Sequence, residues 1–171
     1  MNSICSSLGR EAAEGDNLAE FCGIPYMNLY EKLAERWADQ RIPTAKPVPL
    51  NTIVLFEQEH GVTLPADFRE YLLKINGMEP RRYDEDLVAF LSLDAIDEPQ
   101  NVKHISRDEV AITFAEYSLF CHWYFIRIVP GFSPSQVFVT NGETCRQFAP
   151  SFEEFVKQYL DDPTKVAKGF E

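Results

Sequence analysis

The sequence predicts an α+β fold in which an antiparallel or mixed sheet is packed by N-terminal helices and by a closing C-terminal helix. Three observations support it: apolar residues recur at helical spacing in the first half of the chain, segments rich in β-branched and aromatic residues follow, and a capped amphipathic segment comes last. One face of such a sheet must be covered, and the apolar stripes of the helices can cover it. The other face, or the sheet edge, is then available to a partner.

The first predicted helix covers residues 26–39. Its apolar residues lie three or four positions apart, which is typical of a helix with one buried face. They are Tyr26, Tyr30, Leu33 and Trp37. The stretch 42–49 contains three prolines, so it is predicted to be an extended connector.

A helical hairpin is predicted next, with helices at 51–60 and 65–76. Gly61 can adopt the left-handed backbone that ends a helix, and Pro65 suits the first position of the next one. Asp67 lies in the first turn of that second helix, where the dipole favours a carboxylate. Asn76-Gly77 then ends the hairpin.

Five strands and a final helix complete the predicted fold. The strands are predicted at 87–93, 110–114, 119–129, 137–140 and 144–148. A turn is predicted at 130–134, and Asn141-Gly142 is a strong hairpin signal because both residues tolerate positive φ. Ser151 and Glu154 form a capping box at the start of the closing helix, which ends before Pro163. Residues 1–24 are predicted to be a mobile N-terminal arm, and residues 163–171 a loose C-terminal tail.

Two of these segments resemble the signature of the SMI1/KNR4 (SUKH) superfamily. The helical hairpin supplies the first match, and the segment SFEEFV at 151–156 supplies the second. The matching positions in the hairpin are Ile53, Phe56, Glu57, Gly61, Leu64, Pro65, Asp67, Phe68 and Asn76-Gly77. Members often carry a Gly-Asp turn before the strand that corresponds to 119–128, whereas this chain reads Ala-Glu-Tyr-Ser at 115–118.

The resemblance implies a single non-enzymatic binding domain over residues 25–162. Such domains serve as immunity proteins that neutralise toxins, and others serve as regulatory scaffolds. We therefore expect an immunity protein that blocks a cognate toxin by occlusion. The alternative is a module that binds a host signalling or assembly protein. No binding residue transfers by position, because the family diversifies its partner surface, and the oligomeric state is left open.

The charge balance narrows the class of partner. The net charge is −11 and the pI is about 4.7, so the chain is poorly suited to nucleic acid, whose binding depends on cations. It can attract a partner with a basic surface, although acidity also serves solubility alone. The N-terminus does not read as a signal peptide and no apolar run could span a membrane, so we expect a cytoplasmic protein without membrane contact.

Few residues in the sequence suggest catalysis, a cofactor or a metal. The four cysteines form no C-x-x-C pair, and Cys121 and Cys145 lie in predicted strands, where a free cysteine often behaves as a small buried residue. His60 is explained by its helix end, and His104 by a polar stretch. Cys121 and His122 are adjacent, so strand geometry would point them to opposite faces. We expect no enzyme, no cofactor and no metal.

The candidate partner-binding residues come from local charge and from one aromatic strand. Between residues 84 and 98 there are six acids and no Lys or Arg, a pattern that fits a solvated loop rim and also a docking patch for a cationic protein surface. A calcium site is the least favoured alternative, because Asp84-Glu85-Asp86 lacks the spacing and the glycine of an EF-hand loop. Trp123 lies on a strand with rings on both faces, so it either anchors a partner or belongs to a strand buried on both sides. The candidates are Asp84, Glu85, Asp86, Asp94, Asp97, Glu98 and Trp123.

Overall fold

In the described part of the chain, one antiparallel sheet carries helices against one of its faces. The computed structural model describes residues 27–96, 109–129 and 132–170. The helices are α1 (Leu29–Asp39), α2 (Leu50–His60), α3 (Ala66–Lys74), α4 (Phe152–Asp161) and α5 (Pro163–Ala167), and a 3-10 turn covers Leu93–Ala95. The strands are β1 (Val88–Phe90), β2 (Val110–Tyr117), β3 (His122–Val129), β4 (Phe132–Thr140) and β5 (Cys145–Ala149). The α+β prediction is confirmed. The predicted arm at 1–24, Asp97, Glu98 and His104 lie outside the described residues.

The helices begin and end where the sequence chemistry places them, within a few residues. Asn28 starts α1 with a capping box: its side chain accepts a hydrogen bond from the Tyr30 N–H, and Glu31 accepts one from the Asn28 N–H. Gly61 ends α2 in the left-handed conformation at φ 64°. Pro65 precedes α3 as its N-cap, so that helix begins one residue later than predicted.

The sheet follows chain order, β1-β2-β3-β4-β5, and every pairing is antiparallel. Four strand boundaries differ from the prediction by three residues or more. β2 continues to Tyr117, three residues beyond its predicted end. β1 ends at Phe90, and the chain then enters the 3-10 turn. Residues 119–121 belong to the turn before β3, and β4 already begins at Phe132, inside the predicted turn. The hairpin at Asn141-Gly142 is confirmed. Its turn runs to Thr144, whose N–H donates to the Asn141 side chain.

Alternation along β3 separates the core from the opposite face of the sheet, called here the outer face. Tyr124 and Ile126 point towards the helices and belong to the main core. Trp123 and Phe125 point the other way and belong to a second, small cluster with Ala111. The middle of β3 is therefore buried on both faces, as one of the two predicted alternatives for this strand requires.

The prediction of a loose tail over residues 163–171 is wrong for the part that the structure describes. Residues 163–167 form α5, and Val166 is buried. The Tyr124 hydroxyl donates to the Val166 carbonyl at 2.5 Å, and Nε2 of His122 lies 3.2 Å from the same oxygen. The Phe170 ring lies 5.9 Å from the His122 ring. The C-terminal segment is thus docked on β3.

This docking leaves no room for a side chain at residue 169. A Cβ on Gly169 would lie 2.6 Å from Nε2 of His122 and 2.8 Å from the Tyr124 hydroxyl, and both rings are fixed in the core. We expect Gly169→Ala to lower the free energy of unfolding by about 1–3 kcal/mol, the usual range for overpacking. Urea denaturation measures this change in the free energy of unfolding, and Lys168→Ala, at the exposed neighbouring position, is the control. Equal stability of the two variants would contradict the docking.

The same contact predicts a loss of stability in mild acid. Burial lowers the pKa of His122 from its ordinary value of 6.5. The unfolded chain, where His122 titrates normally, then binds more protons at a pH below about 6.5, so stability must fall as the pH drops through that range. His122→Gln removes this titration. We expect a smaller fall in melting temperature for the variant than for the natural chain between about pH 7.5 and about pH 5. An identical fall would show that His122 is not responsible.

Candidate partner-binding site

Asp84, the first predicted acid, is inside the protein. It is 5% exposed, and its Oδ2 accepts a hydrogen bond from the Tyr159 hydroxyl at 2.5 Å. Its Oδ1 accepts from the N–H groups of Asp86 and Val88. Burial raises the pKa of Asp84, and the hydrogen bonds from Tyr159 and Val88 oppose that rise. Asp84 therefore joins α4 to the start of β1, and this position does not suit direct contact with a partner.

Three of the other predicted acids reach the surface. Glu85 is exposed, and its N–H donates to the Gln40 side chain. Asp86 is partly exposed and pairs with Arg36 at 3.4 Å. Asp94 is exposed on the 3-10 turn. Asp84 is buried, and Asp97 and Glu98 lie outside the described residues. Of the six predicted acids, Glu85, Asp86 and Asp94 therefore lie on the described surface.

Trp123 is half-buried on the outer face of the sheet. It lies opposite Glu116 of β2 and Thr140 of β4 in the strand register. Its Nε1 is buried and has no hydrogen-bond partner in the part of the chain that the structure describes. Trp123 packs beside Phe125, whose ring stacks on Phe138 with the ring centroids 5.6 Å apart. Most of the indole thus serves this small cluster, and its remaining surface faces outward.

A cavity of about 600 Å³ opens on the outer face beside β1. Sequence reasoning missed it because its walls come from four separate segments. They are the loop at 78–83, β1 with the residues after it, two residues of β2, and the turn between β2 and β3. Asp94 is adjacent to one wall, since Leu93–Ala95 is the 3-10 turn and Ala95 lines the cavity. Trp123 is next to another, since its register partner Glu116 lines it.

The turn between β2 and β3 (residues 118–121, the β2–β3 turn) has a strained backbone. Ser118, Leu119 and Phe120 have φ of 46°, 57° and 64°, the left-handed region that costs residues other than glycine roughly 1–2 kcal/mol each. Leu119 is 79% exposed and Phe120 is 54% exposed. The turn therefore displays two large apolar side chains at an energetic cost.

A buried carboxylate fixes this turn. Glu116 accepts a hydrogen bond from the Phe120 N–H at 2.7 Å and another from the Tyr83 hydroxyl at 2.7 Å. Burial and the hydrogen bond to Glu116 raise the pKa of Tyr83 to about 12, so its hydroxyl stays protonated and donates. The Ser118 N–H also donates to the Leu87 carbonyl at 2.9 Å. The exposed side chains are thus held on a rigid frame.

Two histidines, His60 and His122, and two cysteines, Cys121 and Cys145, lie among the described residues. The His60 ring lies 4.3 Å from the Phe56 ring at the end of α2. Cys121 is exposed in the β2–β3 turn, so its predicted burial in a strand is wrong, while the adjacent His122 is buried. Among the described residues, no group of three or more His, Cys, Asp or Glu could hold a metal ion. None of the described helices has the length and apolar character needed to cross a membrane.

A known protein family matches more than half of the chain. The SMI1 / KNR4 family (SUKH-1) matches residues 47–158, which include both segments of the sequence signature and the whole sheet. No curated protein matches the chain.

The strain in the β2–β3 turn predicts that a substitution to glycine will stabilise the protein. Glycine adopts a left-handed backbone freely, so Leu119→Gly should raise the free energy of unfolding by about 1 kcal/mol. Leu55→Gly is the matched control, because Leu55 is also exposed, at 60%, but lies in α2, where glycine should lower stability by a similar amount. Urea denaturation of both variants measures whether each substitution raises or lowers the free energy of unfolding. A loss of stability in Leu119→Gly would show that the turn is not strained.

Proposed function

We propose that this chain, which belongs to the SMI1/KNR4 family (SUKH-1), is a non-enzymatic immunity protein that neutralises a cognate toxin by occlusion. Domains of this family are commonly immunity proteins, and the family is generally non-enzymatic. In this mechanism the protein binds the toxin tightly and covers its active site or substrate groove. No bond is made or broken by the immunity protein itself.

The observation that carries the proposal is the rigid apolar turn beside surface acids. Leu119 and Phe120 are large, exposed and preorganised, and preorganised groups lose less entropy on binding. They line the cavity together with Ala95, next to Asp94. Apolar anchors ringed by charge are the usual anatomy of an interface between proteins. The proposed binding surface therefore comprises Glu85, Asp86, Asp94, Leu119, Phe120 and Trp123.

The acids have a distinct role in this proposal. The chain carries a net charge of −11, so a toxin with a basic surface would be drawn to it over a distance of about a Debye length. Exposed charges at the rim of an interface act mainly on the association rate, whereas buried apolar anchors act on dissociation. Glu85 and Asp94 would thus speed capture, and the turn would hold the toxin once captured.

Co-expression tests the function. The candidate toxin is the product of a gene encoded beside that of this chain, produced from an inducible promoter in a sensitive host. We expect growth arrest with the toxin alone and growth when this chain is also produced. Loss of this chain should harm the source cell only when the toxin is present. If the chain instead co-purifies with a signalling or assembly complex and fails to protect, the scaffold alternative replaces the immunity role.

A charge reversal separates the acids from the rest of the surface. We expect Glu85→Lys with Asp94→Lys to slow association with the toxin by roughly tenfold at low salt and to weaken its salt dependence. The matched control is Glu35→Lys with Glu59→Lys, which changes the net charge equally on the exposed surfaces of α1 and α2. Stopped-flow or biosensor kinetics over a salt series measures the association rate and its salt dependence for both pairs of variants. Equal slowing by the two pairs would assign the effect to net charge alone.

A further inference from the structure

The cavity beside the β2–β3 turn is suited to one large apolar side chain. Its volume of about 600 Å³ exceeds that of any amino-acid side chain, so an anchor can enter with part of its backbone. Ala89, Leu119 and Phe120 supply apolar wall, and the backbone of the turn is fixed by Glu116. The site is therefore formed before a partner arrives.

Two arginines that line this cavity form no ion pair within the described part of the chain. Arg81 and Arg82 are both exposed and line the cavity, and neither forms an ion pair with any described carboxylate. Glu79 is also on this wall. Glu116 is 5% exposed, and each of its oxygens already accepts a hydrogen bond. Among the lining residues, the exposed charge is thus two guanidinium groups against the Glu79 carboxylate, and Asp94 is adjacent.

We propose that this cavity binds an extended segment of the protein partner that presents a large apolar side chain next to a carboxylate. The apolar side chain fills the cavity against Leu119 and Phe120, and the carboxylate pairs with Arg81 and Arg82. Guanidinium groups bind carboxylates in a fixed bidentate geometry, so the pair sets the direction of the segment as well as its affinity. This inference rests on the proposed function for the identity of the segment, which belongs to the toxin.

The arginines add a selectivity that the surface acids cannot supply. On a strongly acidic protein, Glu85 and Asp94 attract many basic partners without distinguishing among them. A carboxylate next to an apolar anchor is repelled by those acids and attracted by Arg81 and Arg82. A partner that carries this pair of groups within a basic surface therefore fits in one position, and one that lacks it does not.

Short capped peptides test the cavity without a known toxin. The probes are acetyl-Gly-Trp-Asp-Gly-amide, acetyl-Gly-Trp-Asn-Gly-amide and acetyl-Gly-Ala-Asp-Gly-amide, titrated into the ¹⁵N-labelled full chain at low salt. We expect saturable shifts at the amides of Ala89 and residues 118–120 with the first peptide. The asparagine peptide should bind about 3-fold to 5-fold more weakly, as exposed ion pairs usually contribute. The alanine peptide should show no saturation.

Two pairs of substitutions make the test specific. Arg81→Gln with Arg82→Gln should remove the preference for Asp over Asn while retaining binding of the tryptophan. Lys157→Gln with Lys165→Gln removes two positive charges from α4 and α5 and should leave that preference unchanged. Absence of saturable shifts at these amides, or equal loss of preference in both pairs, overturns the inference.

The outcome is separable from that of the proposed function. A failure with the peptides in a chain that still protects against the toxin would overturn the cavity assignment alone. Selective binding of the Trp-Asp peptide by a chain that gives no protection would support the cavity and overturn the immunity role.

Discussion

The fold depends on burying the aromatic face of α4 between the sheet and the helical hairpin. Phe152 lies 4.9 Å from Phe68, ring centroid to centroid, and 5.0 Å from Phe114, so it contacts α3 and β2 together. One turn later, Phe155 lies 4.9 Å from Phe114. Helices of this length have little stability alone, because most helical stability comes from tertiary packing. The hairpin also meets the sheet directly, with the Phe68 ring 6.1 Å from the Phe114 ring, and α4 strengthens this arrangement by joining α1 and α3 to the strands.

Polar residues of the family signature then fix how these layers meet. Asn76 accepts a hydrogen bond from the Leu93 N–H at 2.8 Å and donates to the Lys46 carbonyl at 3.0 Å. A Cβ on the adjacent Gly77 would lie 2.6 Å from the Leu91 carbonyl oxygen, so only glycine allows β1 to pass this closely. Glu57 accepts from the Leu64 N–H at 2.7 Å and pairs with Arg69. The signature therefore describes how the domain is built, and a partner surface can vary around it.

The sequence predicts what is local and misses what is assembled from distant segments. Helices α1 to α4 and the final hairpin follow from spacing, caps and turn residues that act within a few positions. Asp84 was predicted to belong to an exposed acidic run, because its hydrogen-bond partner Tyr159 is 75 residues away in the chain. Val166 was predicted to lie in a loose tail, because its partner Tyr124 lies on another element.

The cavity has walls from four segments, so no single stretch of sequence indicates it. Glu85, Asp94 and Trp123 could be proposed from sequence alone, whereas Leu119 and Phe120 could not, because their exposure depends on the left-handed turn.

That turn is where the departure from the family pattern becomes informative. Members often have glycine before the strand that corresponds to β3, and glycine adopts positive φ without strain. This chain has positive φ at Ser118, Leu119 and Phe120 and no glycine there. Glu116 contributes a hydrogen bond that holds the strained conformation. A strained backbone persists only where its surroundings over-determine it, and such outliers cluster at binding and catalytic sites. Glycine would relieve the strain but would remove the side chains, so this chain keeps two exposed apolar side chains, which the proposed binding surface uses, at the cost of a less stable turn.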